Sequence, residues 1–183
     1  SILNAADKNI FCKENTLESA VAGCLQAFEA STLFFAPYPN SFERFVSGAH
    51  APTSATWGYE NRTVAVRIPS GPEAATRIEH RVAGGDANPY LMFAAIFGAA
   101  LQGMKGNANP PTPISGNAYE QPVLMPGLLT DLTAAIDGLD APLLAEFMPS
   151  MILENLAATK SQERDQFEKM SDHEAILALV DTA

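Results

Sequence analysis

Two short stretches of the chain alternate like strands. RTVAVRIP (62–69) and TRIEHRV (76–82) are rich in β-branched residues and flank the turn-forming SGPEAA, a pattern that predicts an antiparallel hairpin. Around them the pattern is helical. Residues 16–36 (TLESAVAGCLQAFEASTLFFA) predict one helix, with Asn15 and Glu18 at capping-box spacing and Pro37 and Pro39 as its stop. The apolar run PYLMFAAIFGAALQGM (89–104) predicts a central helix buried on most sides, opened by Asn88 as N-cap and Pro89 at the first helical position. It is shorter than the ~20 residues a bilayer crossing needs.

Between these elements, residues 37–58 and the proline-rich 107–126 read as loops. Beyond them the chain is helical again. LLTDLTAAIDG ends at Gly138, Pro142 opens a short PLLAEFM segment, and residues 151–170 form an amphipathic, well-charged helix. A last helix starts at Ser171, with Glu174 completing a second capping box. The expected organisation is α+β: an antiparallel sheet fragment with packed helices over 1–106, the loop 107–126, and a helical tail over 127–183.

Composition narrows the class. With 183 residues, 47% of them hydrophobic and 17% charged, the chain can bury a core and is not a disordered or fibrous sequence. A net charge of −10 argues against nucleic acid and anionic membranes as partners. Cys12 and Cys24 lack metal-type spacing and read as reduced thiols of a cytoplasmic protein. The start at SILNAADKNIF, without an initiator methionine, looks like a cut from a longer chain.

Against that acidic background, four of the six arginines (Arg62, Arg67, Arg77 and Arg81) lie within 20 residues. Strand alternation sends Arg77, Glu79 and Arg81 to one face and Ile78, His80 and Val82 to the other. On the first strand it groups Thr63, Ala65 and Arg67. Guanidinium groups on a rigid sheet suit bidentate recognition of phosphate or carboxylate, and Glu79 among them could serve a hard cation such as Mg²⁺. The same spacing also fits a solvated face of cross-strand ion pairs, each worth ~0–1 kcal/mol. Other near-motifs carry nothing. GAALQGMK lacks the Gly-Lys-Ser/Thr ending of a phosphate-binding loop, and no nucleophile motif is present.

The wording of three segments decides between the readings. NSFERFVSGAHAPT, WGYENRTVAVRIP and RIEHRVAGGDANPYLMFAA occur in that order, and together they strongly resemble the C-terminal half of the catalytic domain of glutamine synthetases. The resemblance covers roughly residues 1 to 105 well and the helical tail loosely. Members of that family transfer the γ-phosphoryl of ATP to the γ-carboxylate of glutamate, and an amine then attacks the acyl phosphate. By resemblance, Arg44 matches the arginine that holds glutamate, and Arg62 the one facing the transferred phosphoryl. Arg67 and Arg77 match arginines near the nucleotide phosphates. Glu79 matches a ligand of the bridging Mg²⁺ (or Mn²⁺), and Arg81 an arginine near the substrate carboxylate and phosphoryl group.

Two departures shape the expected activity. Where ammonia-using members carry a glutamate in a G-x-E-A-P flap, this chain reads SGAHAPT, with His50 in its place. His50 is either a base near neutral pH or an exposed loop histidine. The wording PTSATWGYENRT is closer to the γ-glutamyl-amine ligases, such as γ-glutamylputrescine-type enzymes. The second departure is extent: the family's N-terminal domain and most of its metal ligands would precede Ser1. The resemblance therefore implies part of an ATP-dependent glutamate–amine ligase using an organic amine or polyamine, inactive alone and ring-forming when whole. An ammonia-using glutamine synthetase and a non-catalytic relative are the rivals.

Overall fold

The computed structural model describes all residues except 1, 2, 5, 47, 49, 50, 122–124, 126, 182 and 183, with backbone only at 172, 180 and 181. Among them the α+β expectation holds. Helices α1 (Thr16–Gln26) and α2 (Thr32–Phe35) precede strands β1 (Trp57–Tyr59), β2 (Val66–Ile68) and β3 (Glu79–His80). Helix α3 (Pro89–Lys105) follows the sheet, and α4 (Leu132–Asp137), α5 (Pro142–Ala145), α6 (Ser150–Phe167) and α7 (Asp172–Asp181) make the tail. No helix of the described residues is long and apolar enough to cross a membrane.

β2 and β3 form the predicted antiparallel pair, with Val66 opposite His80 and Arg67 opposite Glu79. The strands are shorter than the alternation suggests. A third strand also joins: β1, inside the segment expected to be loop, pairs parallel to β2 with Gly58 opposite Arg67. Two rows of side chains result. Trp57 and Val66, 3% and 0% exposed, lie on the core side with half-buried His80, and Val64 and Val82 are fully buried beside them. Gly58, Arg67 and Glu79 form the opposite row.

Two helical expectations are corrected. Residues 16–36 are not one helix, because a turn over 27–31 separates α1 from α2. Thr32 stabilises that break: its hydroxyl donates to the Glu29 carbonyl at 2.7 Å and accepts the Leu129 amide at 3.1 Å. A hydroxyl bonded locally to backbone competes with helix continuation. The Asn15 capping box does not form either, since Asn15 has φ of 60° and its side chain makes no cap bond. The Asn88 cap forms as expected, accepting the Tyr90 and Leu91 amides at 3.0 and 3.3 Å. So does the Ser171–Glu174 box, through the Ser171 amide at 2.8 Å and the Glu174 amide at 3.4 Å.

Helix α3 is buried on one face rather than most sides. Ala95, Ala99, Ala100 and Gly103 are buried, and Gly103 and Ala99 lie against Gly23 of α1, while Tyr90, Phe93, Phe97 and Leu101 are 47–84% exposed. Small side chains on the inner face let the two helix backbones touch, which leaves the large ones outside. In the tail, α6 is tied back by Lys160, whose ammonium lies 4.0 Å from the Tyr38 ring centroid and 2.6 Å from Glu163.

Candidate active site

The face of the sheet opposite the core carries a charged row. Arg67 on β2 faces Glu79 on β3 at 3.0 Å, and Glu79 in turn meets Nε of Arg81 at 3.2 Å. Alternation along β3 places Glu79 and Arg81 together, and the antiparallel register brings Arg67 across to them. The Arg67 and Arg81 side chains are only 14% and 16% exposed and Glu79 38%, so the row is partly desolvated and held in place.

A second carboxylate, not anticipated from the sequence, braces Arg67 from the other side. Glu60 lies 3.3 Å from Arg67 and accepts the Ser70 amide. That backbone donor holds its carboxyl below the usual range against a smaller opposing effect of burial, and Arg67 adds a further lowering. Glu60 has φ of 51°, and this left-handed residue turns the chain out of β1 towards Arg62. Sequence alternation had no place for it, because it lies just past a strand that was not foreseen.

Arg81 does more than pair with Glu79. Its Nη1 donates to the carbonyls of Arg62 and of Val64, the latter at 3.1 Å. It thereby ties the Arg62 backbone to β3. The Arg62 side chain is exposed, and its guanidinium has no hydrogen bond or ion pair among the described residues. Arg77, expected to share a face with Glu79, precedes β3 and is exposed, with one 3.4 Å bond to the Ala75 carbonyl. The site therefore has Arg67 and Arg81 committed to Glu79, and Arg62 and Arg77 available to an external anion.

Arg44 is held separately. Its Nη1 donates to the Val82 carbonyl at 2.5 Å and its Nη2 to the Phe35 carbonyl at 2.7 Å, with the guanidinium 4.4 Å from the Phe45 ring centroid. Burial pulls its pKa down, while Asp86 nearby opposes the shift. Arg44 thus straps the chain after β3 to the end of α2, and only its Nε lacks a partner. His50 lies outside the described residues. His80 projects to the core side as alternation predicts, 4.8 Å from the Phe35 ring, and burial pushes its pKa down to about 4.

The proline-rich loop also reaches this site. The Trp57 indole donates to the Pro111 carbonyl at 2.7 Å, and the Ile114 amide donates to the Trp57 carbonyl at 2.7 Å. A Cβ on Gly58 would meet the Ile114 carbonyl at 2.6 Å, so glycine is what lets the loop backbone lie against β1.

Glu79 does not make a metal site unaided. Among the described residues no three His, Cys, Asp or Glu side chains converge, and both oxygens of Glu79 are already met by guanidiniums. A divalent ion with an octahedral oxygen preference needs more donors than this row supplies.

Known proteins share this sequence and fold. Residues 1–176 match the model of the glutamine synthetase catalytic domain. Gamma-glutamylputrescine synthetase PuuA of Escherichia coli is 37% identical over 154 residues, covering 84% of this chain and 32% of that protein. Gamma-glutamylethanolamide synthetase GlnA4 of Streptomyces coelicolor is 43% identical over 99 residues, 54% of this chain and 21% of that protein. Glutamine synthetases stand among the curated relatives too. The solved structure of a GmaS/ADP complex superposes with a TM-score of 0.78 at 30% identity, covering 96% of this chain and 44% of that one. The chain spans about a third or less of the length of these two curated relatives. With almost the whole chain matched by one family model, this chain belongs to the glutamine synthetase catalytic-domain family.

Proposed function

We propose that residues 1–183 are the C-terminal portion of the catalytic domain of an ATP-dependent glutamate–amine ligase whose amine is organic. The observation that carries this reading is the division of labour among the arginines: Arg67 and Arg81 are locked on Glu79, while Arg62 stands free on a backbone that Arg81 holds. Phosphoryl transfer needs fixed positive charge beside the anion and little covalent help from the protein. Arg62 and Arg77 would contact phosphate oxygens of ATP and of the acyl phosphate, and the Arg67–Glu79–Arg81 row would keep the sheet rigid beneath them. Both oxygens of Glu79 are met by guanidiniums, so Glu79 would hold a shared Mg²⁺ or Mn²⁺ only together with donors beyond this row. Arg44 enters as a glutamate-binding residue only through its unpartnered Nε or by releasing one carbonyl.

The organic amine is supported by relatives that make γ-glutamylputrescine and γ-glutamylethanolamide, and by the histidine at position 50 in place of a glutamate. Replacing a carboxylate removes an attraction for ammonium. The test is phosphate release by the full-length protein with ATP, Mg²⁺ and glutamate, comparing putrescine, ethanolamine and short alkylamines with ammonium. Preference for an organic amine is expected. Preference for ammonium replaces this reading with an ammonia-using synthetase, and no phosphate release with any amine replaces it with a non-catalytic relative. Arg62→Ala is expected to abolish turnover while ATP binding stays measurable by calorimetry.

A further inference from the structure

The tetrapeptide around Arg62 divides its work in a way that no motif reading anticipates. Asn61 uses its whole amide. Its Nδ2 donates to the carbonyls of Ile114 at 3.1 Å and Gly116 at 2.8 Å. Its Oδ1 accepts the Thr63 amide at 2.9 Å and the Thr63 hydroxyl at 2.7 Å. The Thr63 hydroxyl in turn accepts the Ala118 amide at 2.8 Å. Asn61 and Thr63 are both half-buried, and between them stands Arg62 with its exposed side chain.

We propose that Asn61 and Thr63 are positioning residues. They clamp residues 114–118 of the proline-rich loop to the segment carrying Arg62 and so fix the direction in which its guanidinium is presented. The inference rests on the ligase reading above, in which Arg62 faces the transferred phosphoryl group. Its physical basis is rotational. A free arginine side chain loses rotamer freedom when it engages an anion, and a mobile backbone beneath it would add to that loss. Here three elements restrain the backbone on either side of Arg62. Arg81 holds the Arg62 and Val64 carbonyls, Asn61 closes the turn through Thr63, and the loop packs on both. The loop is itself fastened to β1, through the Trp57 indole on the Pro111 carbonyl and the Ile114 amide on the Trp57 carbonyl. An error of about 1 Å in such a group is worth on the order of a hundredfold in rate.

The test separates aim from simple stability. Thr63→Val keeps shape but leaves the Ala118 amide without its acceptor, Thr63→Ser keeps the hydroxyl, and Asn61→Asp sets a carboxylate against two carbonyl oxygens. In the full-length protein, with the preferred amine, Thr63→Val and Asn61→Asp are expected to lower kcat by about tenfold or more, with KM for ATP and glutamate changed less than about threefold. Thr63→Ser should stay within about twofold of wild type. Hydrogen exchange should quicken at the Ala118 amide in Thr63→Val and remain near wild type in Thr63→Ser. Unchanged kcat in Thr63→Val overturns the proposal, whatever exchange does, because the clamp would then be structural only. Equal losses in the Ser and Val variants overturn it as well. If Thr63→Val does not fold, Asn61→Asp against Thr63→Ser decides by the same criteria. A wild type that turns over no amine sinks the ligase reading instead, and takes the catalytic role of the clamp with it.

Discussion

The contact between α1 and α3 turns on two glycines, and putting a methyl group on one of them has a calculable consequence. A Cβ at Gly23 would sit 2.1 Å from the Ala99 carbonyl oxygen and 2.8 Å from the Gly103 amide nitrogen. Ordinary contact begins near 3.4 Å, so Gly23→Ala requires the helices to part by about 1.3 Å. Both obstacles are helix backbone, which cannot rotate aside as a side chain would. Overpacking of this kind costs about 1–3 kcal/mol, and the better helix propensity of alanine returns up to ~1 kcal/mol. A net loss of about 1–2 kcal/mol corresponds to a melting temperature lowered by ~2–8 °C for a chain of this size. Gly106→Ala is the matched control, because φ is −81° there and a Cβ would meet nothing closer than 3.4 Å. Thermal and urea unfolding followed by circular dichroism should rank wild type and Gly106→Ala together, with Gly23→Ala below them. Gly103→Ala should resemble Gly23→Ala, and the double variant should cost less than the two single losses together, since helices already separated have room for both methyls. A Gly23→Ala protein as stable as wild type would refute the close crossing and the account of why α3 turns its large side chains outward.

Three further outcomes are expected. Because His80 has a folded pKa of about 4 against an ordinary 6.5, its burial contributes stability that is fully present above pH 6.5 and lost as pH falls towards 4, by up to about 3 kcal/mol; His80→Phe should flatten the urea midpoint over that window relative to wild type. Arg62→Ala should leave stability within ~0.5 kcal/mol because its side chain is exposed and its guanidinium has no hydrogen bond or ion pair among the described residues, whereas Arg44→Ala strips the Val82 carbonyl of its Arg44 donor and the Phe35 carbonyl of one of two donors, the Gly84 amide remaining, and should cost about 1–3 kcal/mol in the same unfolding assay. Glu79→Gln weakens two part-buried ion pairs and should cost about 1 kcal/mol at low salt, a difference that narrows in 1 M NaCl, where the Debye length is ~3 Å.

Much of the site was legible because a strand has a period of two. That period sufficed to place Glu79 with Arg81 and to send His80 and Val82 inward. It failed for Arg77, because the pairing with the neighbouring strand begins at Glu79 and runs on through the Arg81 amide, which donates to the Ala65 carbonyl, but does not reach back to Arg77. Glu60 was invisible for a related reason. Its contact with Arg67 depends on a left-handed turn at the end of a strand flanked by Pro, Ser and Gly, residues that read as loop.

The amino-acid sequence by itself determined the family, the antiparallel β2–β3 pairing, the Asn88 and Ser171 helix starts and the identity of the charged row. These follow from ordered motifs, local propensity and capping chemistry, all of which act over a few residues. Tertiary structure alone decided which arginines are spent and which are free, since that depends on carbonyls distant in the chain: Phe35 and Val82 for Arg44, Arg62 and Val64 for Arg81. It likewise decided that residues 16–36 break at Thr32, whose hydroxyl finds Leu129 nearly a hundred residues on, and that α3 is half exposed. A guanidinium is satisfied by whatever acceptors the fold brings within reach, and no sequence spacing records their arrival.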